Sequence, residues 1–542
     1  MRRPAYQPIL ALTLLILPAT VLADNYPRRR GIDAVHYAFQ VEIGDRSNEV
    51  VGEATVDLKF TEPGQTSFWL DLASPTAQSG MTVASVESGG KALAFTQAGD
   101  RLVIILAEPT AAGDRRKFIV RYRGVPASGL LAVANKYRAR MFFAENWPDK
   151  AHQWLPVIDH PSDKATSEFV VIAPAHYKVV ANGLLVAETN LNNGKRSTHW
   201  RQSVPIPVWQ NVFAAGPFER KIGAKEHETP IETWTYLQDK DRAPAFEDAS
   251  RRVLAFFSDR VGPFPYEKLG TIEAVSPFSG MENAAAIFYS ENVFNGSDVV
   301  ALVAHEVAHQ WFGASVTESD WNDVWLSEGF ATYGSLLFIE HDKGRPAFLQ
   351  GLQRGRDAVL RAEMAEPGST VVHANLTDMK RVIGTNVYQK GAWTLHMLHG
   401  LIGDDAFWAG LKAFYTKFRD GNATTDDFRQ TMEAVSKQEL GWFFDQWLRR
   451  SGTPILRFSW SYDATVNQVL LDLGQVQAGE PYRLPLEIGL IERKEGQPVQ
   501  RIEKIVLTKA AQRFTINATT KPESVAIDPN VNLLHRLDSP SL

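Results

Sequence analysis

His305 and His309 stand four residues apart with Glu306 between them, in the run His305-Glu306-Val307-Ala308-His309. On an α-helix, residues at this spacing point the same way, offset by about 40° and ~6 Å along the axis. Two imidazoles so placed reach one tetrahedral ion at ~2.0–2.1 Å. The glutamate between them falls beside the open coordination position, where a carboxylate takes a proton from water. A zinc ion needs a third protein ligand. A histidine six residues after His309 is absent: Ser315 holds that place, and Phe312 replaces the glycine that arrangement requires. Glu328 instead follows with eighteen residues between, within Trp325-Leu326-Ser327-Glu328-Gly329-Phe330. Two histidines and one carboxylate leave a fourth position for water, which is the catalytic rather than the structural pattern.

These residues need two helices to hold them. The first apolar run begins near Ser297, a plausible N-cap, and is expected to end at Gly313. The second is expected from Leu326 to Glu340. Helical periodicity is expected throughout from Ser297 to about Arg450. The preceding stretch is mixed. Ile231–Leu237 reads as a strand, and Phe246, Ala249, Val253, Phe256 and Phe257 carry helical spacing. Upstream the texture is strand-like, with Val56, Leu58 and Phe60 alternating against Asp57 and Lys59. After Gly452-Thr453-Pro454 the alternation returns, at Leu456, Phe458, Trp460 and Tyr462 and again at Leu484, Leu486, Ile488 and Leu490. The expected organisation is a multidomain α+β chain. It has an N-terminal all-β domain at 24–224, a mainly helical catalytic domain at 225–450 and a small C-terminal β-sandwich at 451–542.

The 542 residues exceed what one core accommodates, which fits this division. Arg2 and Arg3, an apolar run from Ile9 to Ala19, and small residues at Val21 and Ala23 read as a signal peptide over 1–23, cut before Asp24. The run falls short of the ~20 residues needed to span a bilayer, so no stable membrane association is expected after cleavage. Removing two arginines and no acidic residue takes the formal charge from −5 to −7. No large basic block points to nucleic acid. The chain has no cysteine, which excludes disulfides, thiolate catalysis and cysteine-ligated zinc. Export without cysteines suits a bacterial periplasm or the exterior. Oligomeric state is not legible.

Three further segments extend the pattern: Ser279-Gly280-Met281-Glu282-Asn283, Tyr388-Gln389-Lys390-Gly391, and Leu155-Pro156 with Asp159-His160-Pro161 and Lys164-Ala165. Ala181-Asn182-Gly183 and Phe443-Phe444-Asp445-Gln446-Trp447 add weaker matches. Together they resemble the aminopeptidase N family of zinc metallopeptidases, the gluzincins, in a shorter three-domain bacterial-type form. Many relatives continue into a large helical domain. This sequence stops about 90 residues after Arg450, so a more open cleft is expected.

The resemblance implies a thermolysin-like catalytic domain holding one zinc per chain on His305, His309 and Glu328, with Glu306 as general base. It implies that Glu282 binds the α-amine of a peptide with a free N-terminus. Gly280, Met281 and Asn283 would run beside the substrate backbone, and Tyr388 would donate to the developing oxyanion. Relatives often carry Gln-x-Glu or Gln-x-Gln upstream as amine ligands. Aligned back from Pro161, these positions hold Glu145 and Trp147, so Glu145 is carried over while Trp147 departs from the pattern. Ser279 departs too, where a glycine is common. The implied reaction is removal of the N-terminal residue. A zinc endopeptidase or an epoxide hydrolase on the same site, and a non-catalytic binding protein, are the alternatives. Glu282 argues against the first, and the intact set of four zinc-site residues with Tyr388 argues against the last.

Overall fold

The computed structural model describes residues 31–374, 376, 378–494 and 497–538. The segment expected as a signal peptide, 1–23, lies outside the described residues.

The chain opens with an all-β region. Strand Ile32–Glu42 pairs antiparallel with Val50–Phe60 and parallel with Lys164–Pro174, inside an eight-stranded sheet. Alternation decides which face is buried: Tyr37, Phe39, Val41, Val56 and Leu58 point into the core. Asp57, expected on the solvent side, is buried as well, because the Arg115 guanidinium grips both its oxygens. A smaller four-stranded sheet contains the hairpin Gly129–Ala134 and Arg140–Glu145. The chain leaving that hairpin carries Glu145 and Trp147.

A five-stranded sheet follows, in the order Phe218–Glu226, Thr229–Tyr236, Leu269–Ala274, Ala286–Ser290 and Gly280–Met281. The boundary expected after residue 224 therefore falls inside a strand. Phe218–Glu226 pairs with Thr229–Tyr236 and belongs to this sheet rather than to the preceding ones. Helix Ala243–Arg260 packs its expected apolar stripe, from Phe246 to Phe257, into the core.

The helical region is not continuous as expected. Short strands Val316–Glu318 and Gly421–Ala423 pair in parallel across it, and no helix lies between Ala365 and Met379 among the described residues. Helix Trp325–Lys343 is its axis: every residue from Trp325 to Gly334 is buried. Gly329 permits this, since its Cα stands against Gly391 of helix Gly391–Ile402, where an added Cβ would lie 3.1 Å from Gly391 backbone. Beyond Pro454, residues form a four-stranded and a three-stranded sheet. The expected face of Leu484, Leu486, Ile488 and Leu490 is buried.

Candidate active site

The helix bearing the histidines runs Val300–Ala308. Ser297 does not cap its start: the N-cap position falls at Val299, and the Asp298 carboxylate accepts from the Val300 N–H at 3.0 Å. The helix also stops short of Gly313. Ala314 N–H turns back to the His309 carbonyl and Gly313 N–H donates to Val316, so residues 309–316 form tight turns, with Gly313 at φ +113°. The motif survives this because His309 N–H still donates to the His305 carbonyl at 3.2 Å, keeping the two imidazoles on one side.

Glu328, in the first turn of helix Trp325–Lys343, completes a triangle. His305 Nε2 lies 3.1 Å from His309 Nε2, and Glu328 Oε2 lies 3.4 Å from the first and 3.3 Å from the second. Ligand atoms ~2.0–2.1 Å from a tetrahedral ion are ~3.3–3.4 Å from one another. The three atoms thus have the spacing of one face of a metal tetrahedron. Glu328 Oε2 is buried and has no well-formed hydrogen bond, while Oε1 accepts from the Tyr388 hydroxyl at 2.9 Å.

Second contacts fix the ligands. His309 Nδ1 faces the Phe312 carbonyl at 3.2 Å and Ser327 Oγ at 3.0 Å, and His305 hydrogen-bonds the Ala331 carbonyl. The His309 contacts occupy its far ring nitrogen and leave its Nε2 free to ligate. Nothing in the sequence pattern singles out Ser327, Phe312 or Ala331 for this task. Their partners become visible only once the two helices cross.

The electrostatics are those of a cation site. Burial would lower the His309 pKa, but Glu282, Glu328 and Glu306 override it and push it up to about 10. Burial opposes ionisation of Glu328, yet His309 and His305 hold its carboxyl below the ordinary range. Burial pushes Glu306 well above the usual carboxylate range and Glu282 up to about 7. Burial, with Glu328 and Glu282 nearby, raises Tyr388, so its phenol keeps its proton and remains a donor. Tyr388 stands in a wide single turn of π-helix, Asn386–Lys390, a form of local distortion common at functional sites.

Gly280–Met281 forms the outer edge of the five-stranded sheet, with Gly280 opposite Tyr289 and Met281 opposite Phe288. Its far side is unpaired with any strand, and Gly280, Met281 and Glu282 line the cavity beside the triangle. That cavity is about 290 Å³ and is shared with Glu306, Tyr388, Trp147 and Phe278. Asn283 is buried and does not line it. Glu145 is likewise buried off the cavity wall, with Oε2 accepting from Ser276 Oγ at 3.4 Å and the charge of Glu282 acting on it. The segment after Glu282 is anchored by two amides: Gln310 donates to the Glu282 carbonyl and accepts from Ala285 N–H, and Asn182 donates to the Ala284 carbonyl at 2.7 Å. Asn182 thereby ties the N-terminal β region to the cavity strand. His396 and His399 lie outside the site, packed around Tyr333 on helix Gly391–Ile402.

Comparison with known proteins agrees with this geometry. The peptidase family M1 domain matches residues 246–447, and the peptidase M1 N-terminal domain matches 33–209. Glutamyl aminopeptidase of Sus scrofa is 26% identical over 487 residues, covering 83% of this chain and 50% of its own length. A mutant form of the M1 zinc metallopeptidase from Deinococcus radiodurans superimposes with a TM-score of 0.67 at 25% identity, covering 77% of this chain and 94% of that one. Legionella pneumophila aminopeptidase A, in complex with aspartic acid, gives 0.82 at 17% identity, covering 95% and 60%, and so shares the fold. The chain spans about half the length of the curated relatives it matches, or less.

Proposed function

The chain belongs to the M1 family of peptidases, and on that footing we propose that it is a zinc aminopeptidase releasing the N-terminal residue of peptides. The observation that carries the reading is the triangle of His305, His309 and Glu328 with Glu306, Glu282 and Tyr388 on one cavity. Zinc, held by those three ligands, would supply a Lewis acid that polarises the scissile carbonyl and lowers the pKa of water. Glu306 takes the proton of the attacking water and returns it to the leaving amine. Its carboxyl stands beside the metal triangle on the same cavity, where it reaches both the water and the leaving amine. Tyr388 swings its donor hydrogen bond from Glu328 to the oxyanion as charge grows there. Glu282 pairs with the substrate ammonium, while Gly280 and Met281 offer a free strand edge to its backbone.

Three parts build the enzyme: a β region ending ahead of Phe218, a catalytic region to about residue 450, and a C-terminal β-sandwich made of the last two sheets. The sequence of 1–23 supports export to the periplasm or exterior. No helix among the described residues is long and apolar enough to cross a membrane.

The test is Glu306→Gln, which keeps shape and removes the proton acceptor. It should retain about one zinc per chain while kcat falls at least ~10²-fold. A variant with normal turnover, or a metal-free wild type with full activity, would overturn the reading.

A further inference from the structure

The cavity beside the metal triangle has two kinds of wall. One is made of chemistry: Glu282, Glu306, Glu328 and Tyr388. The other is apolar, made by Trp147, Phe278, Met281, Leu302 and Ile383. No lysine or arginine lines it among the described residues. Lys150, which acts on Glu145 electrostatically, is not part of the lining.

Trp147 is the rigid part of the apolar wall. Its indole stands edge-on to Phe278, with ring centres 6.0 Å apart at 85°, and edge-on to Trp321 at 5.9 Å and 81°. Trp321 is backed in turn by Trp209 at 6.4 Å. Trp147 is only 7% exposed, with aromatic neighbours on two sides. An indole N–H donates and never accepts, so this side chain offers surface and not a counter-ion for an ammonium.

We propose that Trp147 and Phe278 form the wall against which the side chain of the N-terminal residue packs, so that the enzyme selects peptides with an apolar first residue and rejects acidic ones. This rests on the aminopeptidase reading above and names its substrate class. An aliphatic or aromatic side chain loses water against aromatic faces, which favours binding in proportion to the area covered. A glutamate or aspartate side chain against this wall would meet rings and the carboxylates of Glu282 and Glu306, with no lysine or arginine in the lining to pair it, the metal triangle being the place of the scissile carbonyl. Burying an unpaired carboxylate is strongly unfavourable. The expected preference is the reverse of the one in the name of the glutamyl aminopeptidase relatives.

The test uses the purified full chain and aminoacyl amides of leucine, phenylalanine, alanine, glutamate and aspartate. Wild type should show kcat/KM for leucine and phenylalanine at least ~100-fold above glutamate. Trp147→Ala should lower the leucine-to-alanine and phenylalanine-to-alanine ratios by ~10-fold or more, chiefly through KM, with zinc content unchanged. Trp147→Leu, which leaves an apolar side chain of intermediate size and a smaller void, should restore part of the leucine ratio. Calorimetry should find free leucine bound more tightly than free glutamate. Glutamate turned over as well as leucine, or an unaltered ranking in both variants, would overturn the proposal and leave the aminopeptidase reading standing. Release of no N-terminal residue from any amide by zinc-loaded protein would overturn both.

Discussion

Gly280 lies directly against the carboxyl group of Glu306: a Cβ at position 280 would stand 2.3 Å from Glu306 Cδ and Oε1. Carbon atoms in contact prefer ~3.5–4.0 Å, so the two cannot coexist as placed. The glycine is required here by close approach, not by a left-handed backbone. Gly280→Ala should push the general base off its position while the metal ligands, on other residues, stay. The expected result is kcat lower by ~10²-fold, the low end of general-base contributions, with zinc content unchanged. Unaltered turnover in Gly280→Ala would show that Glu306 works from a different position.

The Tyr388 hydroxyl donates to Glu328 Oε1 at 2.9 Å, and the same carboxylate turns Oε2 to the imidazoles. Tyr388→Phe removes one donor from a buried site, together with its hydrogen bond to Glu328 Oε1. Loss of a single oxyanion donor costs ~10²–10³-fold in kcat. KM should move little, because the bond is made to charge that exists only in the transition state. A Tyr388→Phe variant changed in KM alone would assign the phenol to substrate binding.

The sequence made the chemical residues legible because ligand spacing along a helix is local. His305, Glu306 and His309 are readable from a four-residue spacing, and Glu328 from the eighteen residues that separate it from His309. The alternating strands at Val56–Phe60 and Leu484–Leu490 were readable for the same reason. What escaped depends on contacts between distant segments. The helix ends at Ala308 because Gly313 and Ala314 turn back, which apolar periodicity through Trp311 and Phe312 conceals. Asn182, Gln310 and Ser327 are ordinary polar residues until the fold sets them against Ala284, Glu282 and His309. Trp147 reads as a missing amine ligand in sequence and as an aromatic wall in space.

His152 and Asp159 make a buried pair, with Nδ1 2.7 Å from Oδ2. Burial alone would lower the histidine pKa, but Asp159, aided by Asp71 and Asp149, overrides it and pushes it up to about 9. The folded value lies above the unfolded one of about 6.5. The pair's contribution is therefore fully present below pH ~6.5 and is lost as pH rises through about 9. Its size is on the order of 3 kcal/mol. Lys164 and Lys268, lowered to about 7 by burial, titrate with the opposite sign in the same range. The measurement is thus the stability difference between wild type and His152→Gln in urea, from pH 6 to pH 10. That difference should shrink as pH rises. A constant difference would show that the pair is not ionic.

In the proposed reaction Glu282 is the residue that sets where the peptide is cut. It is buried beside the metal triangle and lines the cavity, and its backbone carbonyl accepts from Gln310 at 3.0 Å. A substrate ammonium placed there stands near a divalent ion and away from bulk water, and needs a carboxylate partner. Charge-assisted hydrogen bonds of this kind contribute roughly 1.5–3 kcal/mol. Glu282→Ala should lower kcat/KM by about 10- to 150-fold, if that energy is expressed in the transition state. Zinc content should not change, because Glu282 is not one of the three ligands. N-acetylated peptides should be poor substrates of the wild type, since acetylation removes the charge that Glu282 meets. The variant should discriminate less between free and acetylated termini. The deciding quantity is the ratio of kcat/KM for a matched pair of free and acetylated peptides in both proteins. An unchanged ratio in Glu282→Ala would pass the role to another carboxylate. Glu145 is the first to examine, because its buried Oε1 lacks a hydrogen-bond partner and its charge already couples to Glu282.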